Sequence, residues 1–185
     1  MLFLTVLGLS ACSSQEKKIT GKYIDVYDDT HYLSFGKDGS FVDNFLTTTS
    51  KGNTSISDDY IYQIDNGGLI TIISLFKYEF QETLDKYEFG WLYNDNIGVC
   101  LDGLLPINNI ESYISCLLNG YNFEYHFNND ETYEYTASSN NEIIHTEYGT
   151  YTVNDNNVVC TNEDGIITTF INAKDKVFCV RYVKE

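Results

Sequence analysis

Hydrophobic and polar residues alternate with a period of two through most of the chain after residue 20. The clearest run is Tyr121–Phe127, where aromatic residues at alternate positions share one face and polar residues share the other. A strand that packs one face on a core and turns the other to solvent has this pattern, which is typical of antiparallel sheets. The alternation predicts an all-β fold, an antiparallel meander that forms a barrel or a sandwich.

Glycine, asparagine and aspartate separate the alternating runs and predict turns. Asp38-Gly39 lies between Phe35 and Phe41, and a hairpin is expected there because glycine adopts the positive φ of a bulged turn. Residues 65–68 and 154–157 have the same polar composition and predict further turns.

Three pieces of sequence recur in the same order, which predicts two related β units. Each piece has one copy in each half of the chain: Phe35–Phe41 with Phe127–Tyr133, Tyr60–Ile64 with Gly149–Val153, and Tyr93–Ile97 with Ala173–Val177. The units are expected to span residues 20–104 and 121–185.

Residues 105–120 are predicted to be a linker that contains one short helix. Asn109 would cap this helix, and Asn119-Gly120 would end it. Apolar residues at helical spacing would share one face: Ile110, Tyr113, Ile114, Leu117 and Leu118.

The first dozen residues predict where the protein works. Leu2–Leu9 is apolar but too short to span a bilayer, which needs about 20 helical residues, so it fits the hydrophobic region of a signal peptide. Leu9-Ser10-Ala11-Cys12 resembles the lipobox of bacterial lipoproteins. The resemblance implies a signal peptide over residues 1–11, a lipid on the Cys12 sulfur and a polar tether over residues 12–19.

One feature departs from this pattern, because no Lys or Arg precedes Cys12 as it does in most signal peptides. In the alternative, residues 2–9 form a buried strand and Cys12 is an ordinary thiol. The lipoprotein interpretation predicts an extracytoplasmic protein anchored to a bacterial cell membrane. The composition is rich in Asn, Ile, Tyr and Asp and includes a single Pro. This bias indicates an AT-rich genome and favours a Gram-positive bacterium as the source.

The net charge of −16 restricts the partners of the protein. Such a chain repels phosphate backbones, so nucleic acid is not an expected partner. It also repels anionic lipid headgroups, so contact with the membrane would come through the lipid on Cys12.

Gly21-Lys22-Tyr23, followed by the Phe35–Phe41 hairpin and by Gly149-Thr150-Tyr151 before a strand, resembles the lipocalin-like domains of small bacterial lipoproteins. The resemblance covers most of residues 20–183. It implies an antiparallel barrel or sandwich and a role in binding rather than catalysis. No functional residue carries over, because the matching positions are turn and core positions.

The chain has no recognisable catalytic motif. It lacks the Gly-x-Ser-x-Gly, His-Glu-x-x-His and Walker A patterns, and its three histidines are scattered singly. No catalytic residue, metal site or cofactor is predicted, and a histidine on the polar face of a strand is expected to face solvent. Asp25, Asp28 and Asp29 are interpreted as a solvated turn.

Four cysteines follow Cys12: Cys100, Cys116, Cys160 and Cys179. We interpret them as small buried hydrophobic residues, because they lie in apolar, strand-like runs. In the alternative they form two disulfides, for which three pairings exist.

The remaining candidates are aromatic. Phe89, Trp91 and Tyr93 share one face of a predicted strand, where a core role is favoured over a ligand site. The expected function is a binding or interaction module whose ligand is a small apolar molecule, a glycan or another envelope protein. The alternatives are an envelope hydrolase without a recognisable motif and a structural accessory lipoprotein without a ligand.

Overall fold

A computed structural model of the chain describes residues 19–44, 60–74, 85–106, 110–118, 120–173 and 175–185, with only the backbone given at 74 and 85–89. The elements of this part are fourteen strands: β1 (Gly21–Asp25), β2 (Tyr32–Phe35), β3 (Phe41–Asp43), β4 (Tyr60–Ile64), β5 (Leu69–Ser74), β6 (Asp85–Tyr93), β7 (Asn96–Gly103), β8 (Ser112–Leu118), β9 (Tyr121–Phe127), β10 (Thr132–Ser139), β11 (Glu142–Asn154), β12 (Asn157–Asn162), β13 (Ile167–Ala173) and β14 (Lys176–Lys184). The prediction of an all-β antiparallel fold is confirmed.

Strands β7 to β14 form a closed antiparallel barrel of eight strands. Each strand pairs with the next along the chain, and β14 pairs back onto β7 to close the ring. We call this ring the second barrel. Its core contains Leu101, Leu105, Ile114, Phe127, Tyr133, Tyr151, Val158, Cys160, Phe170 and Val177.

The other six strands curl with β7 and β14 around a separate core, and we call this ring the first barrel. Strands β1, β2 and β3 extend from β14, and β6, β5 and β4 extend from β7. The two ends meet at a bridge between Ser40 and Ile61, next to a 2.8 Å hydrogen bond from Tyr62 N to Gly39 O. The core contains Ile19, Tyr23, Leu33, Phe35, Phe41, Ile70, Ile72, Ile97 and Tyr182.

The pair β7–β14 is therefore a wall common to both barrels. Its register changes between Val180 and Tyr182, where a bulge interrupts the pairing with β7. The bulge shifts the alternation of β14 by one residue, so that Val177 pairs with Leu101 and Tyr182 pairs with Ile97. Val177 and Leu101 belong to the second core, and Tyr182 and Ile97 belong to the first.

The two barrels contain hairpins with the same hydrogen bonds. In the first barrel, Asp38 Oδ1 accepts hydrogen bonds from Ser40 N at 3.1 Å and Ser40 Oγ at 2.6 Å. In the second, Asp130 Oδ1 accepts hydrogen bonds from Thr132 N at 3.1 Å and Thr132 Oγ1 at 2.5 Å. The turn residues Gly39 and Glu131 both have positive φ, 88° and 66°.

A tyrosine from the following strand holds each of these hairpins. Tyr62 Oη donates to Gly36 O at 3.0 Å, and Tyr151 Oη donates to Asn128 O at 2.6 Å. The same side chain in the same place gives both barrels the same local framework.

The predicted helix within residues 105–120 is wrong. Residues Ser112–Leu118 form β8, which pairs with β9 at seven positions and with the end of β7. Its apolar residues lie on both faces, so that Ile114 is buried whereas Tyr113 and Leu117 are exposed. Pairing on both edges outweighs the local helical spacing. Residues 109 and 119, the predicted cap and stop, lie outside the described part.

The four described cysteines are unpaired thiols. Burial raises the pKa of all four above its ordinary value. Among the described residues, no helix has the length and hydropathy needed to cross a membrane.

Candidate functional site

A groove of about 700 Å³ lies where the two barrels meet. The first barrel contributes Ile19, Thr20, Tyr23, Gly67, Trp91 and Leu92, together with Tyr93, Asn94 and Asp95 at the β6–β7 turn. The second barrel contributes Ala173, Asp175 and Lys176 at the β13–β14 turn, and the common wall contributes Cys100, Phe178 and Lys184. The volume is in the range of about 300–1,000 Å³ that small-molecule sites occupy.

Two of the three predicted aromatic residues line this groove. Trp91 and Tyr93 are half-buried, and neither belongs to the described core clusters. The side chain of Phe89 lies outside the described part. The ring centroids of Tyr93 and Phe178 are 5.6 Å apart. The aromatic face of β6 thus opens onto the groove instead of filling a core.

Glycines create the space in which Trp91 lies. Trp91 is paired with Gly98 on β7, where a Cβ atom would lie 1.9 Å from Cys179 O and 2.9 Å from Phe178 Cζ. On the other side, a Cβ at Gly67 would lie 2.9 Å from Trp91 Cζ3. A larger residue at either position would displace the aromatic rings.

Tyr23 places a buried hydroxyl group at the groove. The residue is fully buried, and its Oη has no hydrogen-bond partner in the described part of the chain. Burial raises its pKa to about 12, and the nearby Asp95 carboxylate adds to the rise. A buried hydroxyl left without a partner destabilises a protein by about 1–3 kcal/mol. The hydroxyl is closed off from solvent, so a ligand group that bonds it would recover that free energy once a neighbouring side chain has moved aside.

The charged residues of the groove are of both signs. Lys184 Nζ lies 3.4 Å from Asp95 Oδ1 and 6.0 Å from the centre of the Tyr23 ring. Lys176 forms an ion pair with Asp102, and Asp175 lies beside it in the turn. Among the described residues, two lysines and two aspartates line the groove, so their formal charges cancel in a chain of net charge −16.

The second barrel has a counterpart of this groove. Trp91 pairs with Gly98, and Ile171 pairs with Phe178 at the equivalent place. The bond from Leu92 N to Gly68 O, 3.0 Å, matches the bond from Asn172 N to Asn156 O, 2.9 Å. The counterpart groove, of about 320 Å³, is lined by Val26, Asn96, Ile167, Thr169, Ile171, Val180 and Val183. None of the described residues that line it is aromatic.

A buried ion cluster lies at another place in the first barrel, and sequence reasoning missed it. His31 Nδ1 is 3.0 Å from Asp25 Oδ2, and His31 Nε2 is 2.9 Å from Asp43 Oδ1. Arg181 Nη2 lies 2.7 Å from Asp25 Oδ2, and Tyr27 N donates to Asp25 Oδ1 at 2.8 Å. Both ring nitrogens of His31 thus lie within hydrogen-bond distance of carboxylates.

This cluster corrects two expectations. Asp25 is 2 % exposed rather than part of a solvated turn, and the His31 side chain is 13 % exposed rather than solvent-facing. His126 and His145 are exposed, as expected. The described residues contain no group of His, Cys, Asp and Glu arranged to hold a metal ion.

The described chain begins beside the groove. Ile19 is 3 % exposed, and its carbonyl accepts a hydrogen bond from Tyr62 Oη. Cys12, the predicted signal peptide and the tether up to residue 18 lie outside the described part. Any tether that precedes Ile19 therefore joins the fold at the edge of the groove.

Comparison with known proteins adds no relative: no protein-family model matches this chain, and no curated protein or solved structure matches it significantly.

Proposed function

We propose that this protein is a lipid-anchored binding module of the bacterial cell envelope that holds a small ligand in the groove between its barrels. The observation that carries the proposal is the Tyr23 hydroxyl, which is buried and has no partner among the described residues, in a groove that half-buried Trp91 also lines. Binding sites of this kind combine an apolar surface with a few directed polar groups.

The proposal agrees with two predictions from the sequence. One is the resemblance to lipocalin-like domains, which implies a binding role, and the other is the presence of two related β units. The matched hairpins of the two barrels support a common origin of the units. The counterpart groove is aliphatic, so the aromatic groove is a difference between the units that the shared framework does not require.

The anchor would limit the distance between the groove and the membrane. Six residues lie between Cys12 and Ile19, and the seven steps of this segment reach about 25 Å at full extension. The net charge of −16 repels an anionic headgroup surface, so the folded part would stand away from the bilayer at the end of this tether.

The anchor is tested with Cys12→Ala in the full chain, expressed in bacteria that are fed radiolabelled palmitate. The variant is expected to lose both the label and membrane fractionation, whereas the matched variant Cys100→Ala keeps both. Equal labelling of the two variants would show that Cys12 carries no lipid.

The groove is tested with the fluorescence of Trp91, which is the one tryptophan of the chain. Titration with myristate or with chitotetraose is expected to shift its emission in a saturable way. The variant Ile171→Leu, in the counterpart groove, should respond as the wild type does. If neither compound changes the emission of Trp91, the proposed binding function is wrong.

A further inference from the structure

We infer that the ligand of the groove is a neutral glycan, bound with a sugar ring against Trp91 and a hydroxyl group on Tyr23. The inference rests on the proposed function and names the chemical class of its ligand.

The charges of the groove disfavour an ionic ligand. An anion would meet Asp95 and Asp175 as well as the negative potential of the whole chain. A cation would meet Lys176 and Lys184, whose ammonium groups are already engaged by Asp102 and Asp95. An ion at Asp95, Lys176 or Lys184 would have to compete with an existing ion pair.

The polar groups of the groove disfavour a purely apolar ligand. A hydrocarbon chain would leave the Tyr23 hydroxyl without a partner and would cover two lysines and two aspartates. Covering polar groups without replacing their hydrogen bonds opposes binding.

A neutral sugar matches both kinds of surface. The C–H face of a pyranose ring can pack on the Trp91 ring, which has a negative face and is half-buried. Sugar hydroxyls both donate and accept, so they can bond a lysine and an aspartate of an ion pair at the same time. The Tyr23 hydroxyl can donate a hydrogen bond to a sugar hydroxyl or accept one from it, and thereby gains the bond that it lacks in the described part of the chain.

The two grooves also differ in their aromatic residues, so the sugar is expected to bind in only one of them. Trp91, Tyr93 and Phe178 all line this groove, whereas Ile171 takes the position of Trp91 in the counterpart groove, and the described residues that line that groove include no aromatic one. The protein should therefore bind one glycan segment per chain.

The test uses saturation-transfer NMR and calorimetry on the purified chain from residue 13 onward, which keeps every described residue. The probes are chitotetraose, cellotetraose and maltotetraose as neutral saccharides, tetragalacturonate as an anionic saccharide, and myristate as an apolar ligand. At least one neutral saccharide is expected to bind at one site per chain, with no saturable binding of tetragalacturonate or myristate.

Variants locate the saccharide. Trp91→Leu should weaken its binding about tenfold, Trp91→Phe should restore most of the affinity, and Ile171→Leu should leave it unchanged. Tyr23→Phe should weaken binding about fivefold, as expected for one hydrogen bond.

The outcomes separate this inference from the function on which it rests. If myristate binds in a way that depends on Trp91 and no neutral saccharide does, the glycan inference is wrong and the binding module stands. If saccharide binding is the same in Trp91→Leu, or if no probe binds, the groove is not the site and both proposals fail.

Discussion

At the scale of single residues, three tyrosines show how one side chain serves different purposes. Tyr62 and Tyr151 each donate a hydrogen bond to a hairpin carbonyl, and both support the framework. Tyr23 is at least as buried, but its hydroxyl bonds nothing in the described part of the chain. We attribute this difference to binding, because a hydroxyl that served only the fold would be more favourable with a partner or absent.

This difference predicts opposite effects of the same substitution. Tyr23→Phe should raise the free energy of unfolding of the unliganded protein by about 1 kcal/mol, because it removes an unsatisfied buried group. Tyr151→Phe should lower it by about 1 kcal/mol, because it leaves Asn128 O without its bond. Urea unfolding measures both values, and a destabilised Tyr23→Phe would indicate that the hydroxyl has a structural partner.

The ion cluster around His31 could have been predicted in part. Asp25, His31 and Asp43 each lie two residues from a core residue, namely Tyr23, Leu33 and Phe41, so strand alternation turns all three toward the inside of the first barrel. The signal for their burial was the period-2 alternation, which continues from the apolar core residues to these polar positions. Their mutual contacts were not predictable, because they depend on how three strands pair.

At the scale of elements, the hairpins could be predicted from the local sequence, whereas strand β8 could not. The Asp38-Gly39 turn depends on a side chain that bonds its own backbone neighbours, so nearby residues contain the information. The apolar spacing in residues 110–118 is compatible with a helix until β9 and β7 are in place. Non-local pairing then decides the structure, and single-sequence patterns do not contain it.

Among the described glycines, Gly98 is the one at which an added Cβ would make the shortest contact. It allows β7 and β14 to approach and leaves room for the ring of Phe178. Gly98→Ala should destabilise the protein by about 3 kcal/mol, because its Cβ would overlap the backbone of Cys179.

Chemical denaturation of Gly98→Ala checks this value, with Thr152→Ala on an exposed strand position as the control expected to change stability by less than about 0.5 kcal/mol. Equal stabilities of the two variants would mean that the common wall is less tightly packed than described.

At the scale of the whole molecule, the common wall β7–β14 organises the protein. Its two strands are the last strands of the two units that the sequence repeat predicts, and they pair although about 80 residues separate them. The sequence repeat indicated two similar units, but the way they share strands depends on this distant pairing. The groove exists because two barrels diverge from one wall, so its position was not predictable from either unit alone.

Buried thiols and phenols predict how the whole fold responds to alkaline pH. Burial raises the pKa of Cys179 from 9.0 to about 12 and that of Tyr182 from 10.0 to about 12. Their contribution to stability is fully present below the unfolded-state values. It is lost as pH rises toward 12, because the unfolded chain releases protons that the folded chain retains.

The slope of unfolding free energy against pH measures this difference in bound protons. Between pH 9 and 12, Cys179→Ala should reduce the slope by about one proton, whereas Ser115→Ala, which has no titrating group, should leave it unchanged. An unaltered slope in Cys179→Ala would show that this thiol titrates alike in the folded and unfolded chains.

The most direct test of the account is a crystal structure of the protein with the tightest-binding neutral tetrasaccharide. The account predicts a sugar ring packed on Trp91 and a saccharide oxygen within hydrogen-bond distance of Tyr23 Oη, about 2.7–2.8 Å. A saccharide bound elsewhere, or a Tyr23 hydroxyl bonded to a protein group while the groove stays empty, would contradict it.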